Sequence, residues 1–386
     1  MSQNNTIEKR IKDYLKELEQ NLGEIKSIGL HTGISGVALF FLYAYKSKII
    51  EKEKVNIILK VLFEKIENEE ISYSLSDGII GVGIVIQKFI NEGFIEDKYN
   101  DFLKSIDRII NPITIQMFKK NRYDYLHGGL GAIDYLLKRE KYLDNSFVIK
   151  KSLRILLENK IHDEFGISWE SVIDRERGAK KSEVHRPLGA AHGQASILHI
   201  LTKLYINEYL NNQKIILSLS KWILLQQDFK RDRYTIFPPR LINENFTDRN
   251  SRLGWCTGDL GILYPLFLSS KKMSFNNLNK RVIDMLLYTS KMKDLDSCVV
   301  VDNGFCHGVA GIVHIYHKLY IETGIDTFQK SFMFWLEILL EKREKLEKNL
   351  PFRYDMNAGI AGIGLVLISI INPTLDTNWD SYFVLS

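Results

Sequence analysis

Cysteine is scarce in this chain of 386 residues, which contains only Cys256, Cys298 and Cys306. An odd and small number of cysteines excludes the disulfide framework that is typical of small secreted domains. Reduced thiols are expected instead, and some of them are candidate metal ligands. The polar segment Met1 to Lys12 lacks the apolar stretch of a signal peptide, so we expect a cytoplasmic protein.

Long apolar runs and blocks of one charge are also missing. The longest apolar run, Ala358 to Ile371, is shorter than the roughly 18 residues that indicate a membrane-spanning helix. We interpret it as a buried core helix and predict no transmembrane segment. The net charge of +5 is spread along the chain. This is poor evidence for a nucleic-acid partner and weak evidence for an acidic or peptide partner.

Glycine, in contrast, recurs in a regular pattern. Seven Gly-x-x-Gly-like segments, here called glycine elements, are each followed by an apolar run, and their first glycines lie 45 to 65 residues apart. Unrelated helix starts are the alternative interpretation, but register along the whole chain favours an internal repeat. Ser196 replaces the second glycine in the fourth element. The first glycines are Gly33, Gly78, Gly128, Gly193, Gly258, Gly308 and Gly359.

The segments that flank the glycine elements have two helical patterns. Those before them place apolar residues three and four apart among Lys and Glu, as amphipathic helices do. The runs after them are apolar nearly all round, which is typical of helices buried on every side. Seven such helix pairs predict an all-α fold, an α/α toroid with buried inner helices and amphipathic outer helices. We expect one domain over residues 1–386, with glycines that let the inner helices approach closely.

Two of the intervals between glycine elements carry extra residues. The surplus falls near 165–187 and 228–250, and both segments are polar, basic and not helix-periodic. Long segments of this kind in a compact domain are usually functional or disordered. We expect long loops or short hairpins over one mouth of the toroid, facing the substrate.

The glycine elements also collect possible metal ligands. Cys256 lies two residues before Gly258, and Cys306 and His307 directly precede Gly308. In a toroid the inner helices all begin at one end, which brings these residues together. Two thiolates and one imidazole fill three positions of a zinc tetrahedron and leave the fourth for water or substrate, which is the catalytic pattern. Two buried free cysteines with a capping histidine are the alternative.

Four further residues at the same end are candidates for catalysis. His192, directly before Gly193, could act as general acid or base or be a structural histidine. Asp124 could orient that histidine or cap a helix. Arg252 could bind an anionic or carbonyl oxygen or be a solvated side chain. His127 could be a second imidazole at the site, although a structural role is favoured.

The remaining candidates have structural interpretations. Cys298 is expected in the core. His314 and His317 lie further along the helix after Gly308, where core or outer-face roles suit them. Asp77 is interpreted as a helix N-cap.

Three motifs in this repeat context resemble the lanthionine synthetase C-like cyclases: Ala-His-Gly at 191–193, Trp-Cys-x-Gly at 255–258 and Cys-His-Gly at 306–308. The resemblance covers essentially the whole chain. It implies an α/α toroid around a single zinc ion, with Cys256, Cys306 and His307 as ligands. It further implies active-site roles for His192, Asp124 and Arg252. The family often has Tyr after the first zinc cysteine, whereas this chain has Thr257, so any role of that phenol is in doubt.

The resemblance also implies a reaction in lantibiotic biosynthesis. A cysteine thiol of a dehydrated precursor peptide adds to dehydroalanine or dehydrobutyrine and closes a lanthionine or methyllanthionine thioether ring. His192 is then the candidate general acid, and the two extra segments are candidates for gripping the leader peptide. The chain has no room for a dehydratase domain, so a separate dehydratase is expected, together with an exporter in a membrane-associated complex.

Three other functions fit the same residues. The first is addition of glutathione to dehydroamino acids in proteins. The second is a non-catalytic, zinc-stabilised toroid that binds peptides. The third is a zinc-dependent prenyltransferase subunit, which the Cys-His-Gly motif disfavours.

Overall fold

The computed structural model describes residues 3–68, 72–172, 185–228, 235–242, 245–246, 251–341, 346, 350, 353–375 and 378–386. Fourteen α-helices lie within these residues. The seven that precede the glycine elements are α1 (Gln3–Gln20), α3 (Lys52–Asn68), α5 (Asn100–Lys119), α7 (Ser146–Glu158), α9 (Gln213–Leu225), α11 (Asn276–Thr289) and α13 (Asp326–Leu340). The seven that follow them are α2 (Ile34–Lys46), α4 (Ile79–Asn91), α6 (Gly129–Arg139), α8 (Gln194–Ile206), α10 (Asp259–Lys272), α12 (Val309–Thr323) and α14 (Ile360–Ile371).

Burial distinguishes the two sets of helices as the patterns predict. In α2 every residue from Ile34 to Ala44 is buried. In α1 burial is confined to one face, formed by Ile7, Ile11, Tyr14, Leu15 and Leu18. A stripe at three- and four-residue spacing gives a helix one buried and one wet face. No helix among the described residues is long and apolar enough to cross a membrane.

The helices are distributed over two compact units. The first comprises residues 1–106 and 300–381, and the second comprises residues 107–299 and 382–386. Within the first unit, α2 contacts α4 and α14, and α14 also contacts α12. Within the second unit, α8 contacts both α6 and α10. In each unit, therefore, the buried helices of successive repeats are neighbours.

The loop before each buried helix folds back over the first helical turn. In six of the seven repeats the first helical N–H donates to the carbonyl of the residue six positions before the first glycine, as from Ile34 to Ser27 at 2.9 Å. A Cβ added at Gly33 would lie 2.1 Å from the Ser27 oxygen, and one at Gly261 would lie 1.6 Å from the Trp255 oxygen. The glycine pairs are thus required mainly by each loop's own backbone, whereas we expected contact between neighbouring helices.

Short strands and 3-10 helices complete the described residues. A hairpin joins β1 (Ile161–Asp163) to β2 (Gly166–Ser168). A three-stranded antiparallel sheet has the order β3 (His185–Pro187), β4 (Arg240–Ile242), β5 (Asn245–Phe246). The 3-10 helices are Leu22–Glu24, Asp97–Tyr99 and Asn378–Phe383.

The sheet joins the two extra segments that the sequence analysis identified. Strand β3 ends the first segment, whereas β4 and β5 belong to the second, and His185 pairs with Ile242 across the ladder. Residues 173–184, 229–234, 243–244 and 247–250 of these segments lie outside the described residues. The described parts include strand β2 of a hairpin and the paired strands β3, β4 and β5, whereas long loops or short hairpins were expected. The proposed role of these segments in facing the substrate stays a prediction.

Candidate metal and proton-transfer site

A backbone ladder links the glycine elements within each unit. Position −2, two residues before the first glycine, is occupied in chain order by His31, Ser76, Leu126, Ala191, Cys256, Cys306 and Asn357. In the first unit the N–H at this position donates to the carbonyl at the same position of a neighbouring repeat, from His31 to Ser76 (2.9 Å), from Asn357 to His31 (2.9 Å) and from Cys306 to Asn357 (2.7 Å). In the second unit Ala191 donates to Cys256 at 3.3 Å. Both motif cysteines therefore occupy the same place in this ladder.

Glycine at position −4 makes this close approach possible. A Cβ at Gly189 would lie 2.1 Å from the Cys256 oxygen, and one at Gly304 would lie 2.5 Å from the Ala358 oxygen. Real Cβ atoms essentially never come this near a backbone atom. The loops of neighbouring repeats can pack at this distance only because one of them has no side chain there.

Cys306 and His307 hold a pair of possible ligand atoms in the first unit. The Cys306 Sγ lies 3.3 Å from the His307 Nε2. Two atoms that bind one zinc ion at tetrahedral angles are about 3.5 Å apart, given usual zinc–sulfur and zinc–nitrogen lengths. The ring of the preceding residue, Phe305, packs against that of Trp379 with a centroid distance of 5.6 Å, and this contact holds the loop in place. The geometry of this pair therefore fits zinc.

Cys256 is fixed in the second unit by a similar anchor. The indole N–H of Trp255 donates to the carbonyl of Phe383 at 2.6 Å, and the two rings meet edge to face at 5.0 Å. Trp255 is fully buried, and Cys256 is 6% exposed. An aromatic side chain directly before each motif cysteine thus holds its loop in the core.

His192 and Asp124 form a hydrogen-bonded pair beside Cys256. Asp124 Oδ2 accepts from His192 Nδ1, and Asp124 Oδ1 accepts from the backbone N–H of His127. Burial alone lowers the pKa of His192, but the Asp124 carboxylate and hydrogen bonds to Asp124 and Cys256 together raise it to about 10. Because Nδ1 bonds to Asp124, the opposite ring nitrogen is the one that faces the Cys256 thiol. The structure thus brings His192, Asp124 and Cys256 together.

The ring of His127 stacks on that of His192. Their centroids are 5.7 Å apart, and the ring planes differ by 17°. Side-chain donor atoms of Asp124, His127 and His192 all lie within 4.8 Å of one another, which makes this a second group that could hold a metal ion. The contact was not expected, because a structural role for His127 was favoured. Its place directly before a first glycine, shared with His192 and His307, is the signal in the sequence that could have shown it.

Arg252 and Thr257 flank Cys256 in the same loop. The carbonyl of Arg252 accepts from the N–H of Asp259 at 2.9 Å, which closes the loop onto α10. Among the described residues, the half-buried guanidinium has no ion-pair or hydrogen-bond partner. The Thr257 carbonyl accepts from the Ser251 hydroxyl at 2.6 Å. The role of Arg252 in binding substrate stays a prediction.

The other candidate residues have structural roles, with one correction. Cys298 is fully buried, and His314 is buried and bonded to Asp380 at 3.0 Å, as expected. His317 stacks on Phe332, a residue of the outer helix α13. Asp77 is not a helix N-cap: that position belongs to Gly78, and Asp77 instead accepts from the hydroxyls of Thr32 and Ser76.

Comparison with known proteins identifies the family. The family model described as lanthionine synthetase C-like protein matches residues 24–384. The chain belongs to the lanthionine synthetase C-like family. A solved structure titled nisin cyclase is similar over 98% of this chain and 97% of its own length, with a TM-score of 0.76 and 17% sequence identity. A sugar epimerase from a ruminal bacterium covers 91% of this chain and 88% of its own at 11% identity, but its TM-score is only 0.43.

The match to nisin cyclase confirms the predicted fold class, an all-α α/α toroid, for this member of the family. At this identity the likeness shows the fold alone. Any comparison of chemistry depends on the cysteine and histidine motifs of the glycine elements, and the role of these motifs in this chain is a proposal.

Proposed function

We propose that the chain is a zinc-dependent cyclase that closes thioether rings in a dehydrated precursor peptide. The observation that carries this proposal is the shared ladder position of Cys256 and Cys306, one beside His192 and the other beside His307. Family membership supports it. One zinc ion per chain is proposed, with Cys256, Cys306 and His307 as its ligands.

The donor set suits activation of a thiol. Two thiolates and one imidazole leave one tetrahedral position for a substrate. A zinc ion held there would deprotonate a substrate cysteine that joins it and keep the sulfur nucleophilic. Cys256 and Cys306 are buried, which limits competition from bulk water.

Ring closure forms one carbon–sulfur bond and keeps every atom of the peptide. The substrate sulfur forms a bond to the β-carbon of the dehydro residue, and the alkene electrons move towards the α-carbon. A proton then bonds to the α-carbon, and the thiol has lost one proton, so the peptide mass does not change. We assign delivery of that proton to His192, which contributes about 10²- to 10⁴-fold as a general acid.

Asp124 and Arg252 assist in this proposal. Asp124 holds His192 Nδ1 and thereby fixes the orientation and tautomer of the imidazole. Arg252 donates to the oxygen that becomes negative as sulfur attacks. Thr257 stands where many relatives have a phenol, so the proposal assigns no proton transfer to that position.

The partners follow from the same reaction. The dehydro residues require a separate dehydratase, and the paired strands of the extra segments are proposed to grip the leader of the peptide. A cytoplasmic location, with peripheral attachment to a complex that includes an exporter, is part of the proposal.

The decisive experiment offers the purified protein a dehydrated, cysteine-containing precursor peptide. Because cyclisation leaves mass unchanged, free thiols are counted by alkylation and mass spectrometry. We expect loss of alkylation with the zinc-loaded wild type and persistent alkylation with the His192→Ala variant. Thiols that stay free with every dehydrated peptide would contradict the cyclase proposal and favour a peptide-binding protein.

A further inference from the structure

Asp355 has the same position in its loop, four residues before the first glycine, as Asp124 has in its own loop. Asp124 and Asp355 both lie at position −4, and each accepts from the backbone N–H three residues later, that of His127 or Ala358. The second oxygen of Asp124 holds the His192 imidazole. The second oxygen of Asp355 is buried and has no hydrogen-bond partner among the residues that the structure describes.

Asp355 lines a cavity of about 640 Å³ within the first unit. Thr32 and Asp77 line it as well, and the Thr32 hydroxyl donates to Asp77 Oδ1 at 2.6 Å. Asp355 is only 3% exposed, so its unpartnered oxygen lies buried in the wall of a space large enough for a side chain. A buried polar atom without a partner destabilises the fold, and a suitable donor would remove that penalty.

The two residues directly before Asp355 in the chain have acidic partners of their own. Arg353 forms an ion pair with Glu17, and the Tyr354 hydroxyl bonds to Glu24. Lys26 is exposed at the edge. Asp77 is half-buried and Asp355 is buried, so the two least exposed charged groups of the cavity lining are both carboxylates.

The surroundings of Asp355 disfavour its charged form. Burial, together with the nearby charge of Asp77, raises the pKa of Asp355 to about 7, although three backbone N–H groups lower it. A cation beside both carboxylates would favour their charged forms.

We propose that this cavity is a subsite for a lysine or arginine side chain of the peptide substrate. The inference rests on the proposed function in that it takes a peptide as the substrate. Repeat geometry supports a cationic donor, because the equivalent oxygen in the Asp124 loop already holds an imidazole. The subsite is tied to the metal ligands within its own unit, since the Asn357 carbonyl, two residues after Asp355, accepts from the Cys306 N–H at 2.7 Å.

Binding of short peptides tests the subsite without any ring chemistry. The probes are fluorescein-labelled octapeptides that contain one cysteine and no dehydro residue, with one lysine placed at each other position in turn. Each has a counterpart with acetyl-lysine, which is neutral and of similar length. With the full-length, zinc-loaded protein, at least one lysine peptide should bind about tenfold more tightly than its counterpart.

Two conservative variants test whether the preference for lysine over acetyl-lysine depends on the carboxylates of the cavity. Asp355→Asn and Asp77→Asn should each remove most of it, and the half-buried Asp77 is the variant less prone to unfold. Glu64→Gln, at an exposed carboxylate on α3, is the matched control and should keep it. Thermal denaturation checks that each variant is folded.

The outcomes separate this subsite from the cyclase proposal. Equal binding of every lysine and acetyl-lysine pair overturns the subsite, and so does a preference that survives in both folded variants. Thiols that stay free in the cyclisation assay, together with a lysine preference that depends on Asp355, would overturn the cyclase and leave the subsite standing.

Discussion

The backbone N–H of Ala191 donates to the backbone carbonyl of Cys256 at 3.3 Å. The residue next to His192 is therefore joined directly to the proposed zinc ligand of the following repeat. The proposed metal ligand and the proposed proton donor are thus linked by one hydrogen bond between loops, so we expect movement of either loop to disturb both.

Substitution of Cys256 should change the metal content of the protein far more than substitution of Cys298. Cys256→Ala should reduce bound zinc from about one per chain to a small fraction and abolish cyclisation, because only two proposed ligands remain. Cys298→Ala should keep the zinc, since Cys298 is buried in the core, although it leaves a small cavity. Elemental analysis of the purified proteins measures the difference. Equal zinc in both variants would remove Cys256 from the ligand set.

Asp124→Asn should impair catalysis and spare the metal. An amide oxygen can still accept from the His127 N–H, but the amide nitrogen would face His192 Nδ1 and favour the wrong tautomer. We expect the cyclisation rate constant to fall about 10²-fold or more with unchanged zinc content. Asp101→Asn, at an exposed side chain, should have no effect. An active Asp124→Asn enzyme would show that His192 needs no orienting group.

His127 is expected to act through its ring contact with His192. His127→Leu should lower the rate constant about tenfold, because the stacked imidazole loses a flat partner. His127→Phe keeps a stacked ring and should recover most of the activity. If Phe is no better than Leu, the nitrogen atoms of His127 matter rather than its shape.

The close approach of the loops predicts an unequal effect of two glycine substitutions. Gly189→Ala would place a Cβ 2.1 Å from the Cys256 oxygen, whereas a Cβ at Gly23 would meet nothing within 4 Å. Gly189→Ala should therefore destabilise the protein by several kcal/mol, or weaken zinc binding where the loop shifts to relieve the clash. Gly23→Ala should be nearly neutral. Chemical denaturation and zinc titration check both variants, and equal stabilities would refute this account of the loop.

Asp259 makes stability depend on pH. Burial raises its pKa to about 7, although the N–H groups of Ile236 and Phe237 lower it. The folded state then binds more protons than the unfolded state between about pH 4 and 7, so stability decreases as pH rises through this window. The loss is at most about 1.4 kcal/mol per pH unit for one group. Asp259→Asn should lessen the fall of the melting temperature between pH 5 and 7 without removing it, because the pKa of Asp355 is raised as well, whereas Glu64→Gln should not change it, and an unchanged slope would assign the effect elsewhere.

The fold could be predicted from the sequence because each repeat shows the same pattern of glycine, apolar and polar residues. Helical spacing in the segment of α1 and the unbroken apolar run of α2 predicted outer and buried helices, and the structure has both. The candidates His192 and Asp124 could be named because each has a fixed offset from a glycine. The contact of Asp124 with His192 was one of two roles that the sequence left open, since the choice depends on how two loops from different repeats pack.

Other features have no signature that a single sequence can show. Asp77 resembles a helix cap by position, but its partner Thr32 lies 45 residues away. The ladder at position −2 uses backbone atoms only, so residue types do not reveal it. Asp355 was not a candidate at all, because its similarity to Asp124 becomes visible only when the hydrogen bonds of the two loops are compared.

The pairing of β3 with β4 makes the two extra segments a single exchangeable part. Each contributes backbone hydrogen bonds that the other needs, and Asp259 at the start of α10 holds the second segment through Ile236 and Phe237. A chimera that takes one segment from a relative would leave an unpaired strand edge. Grafts of this region therefore have to carry both segments, together with the carboxylate that binds the second one.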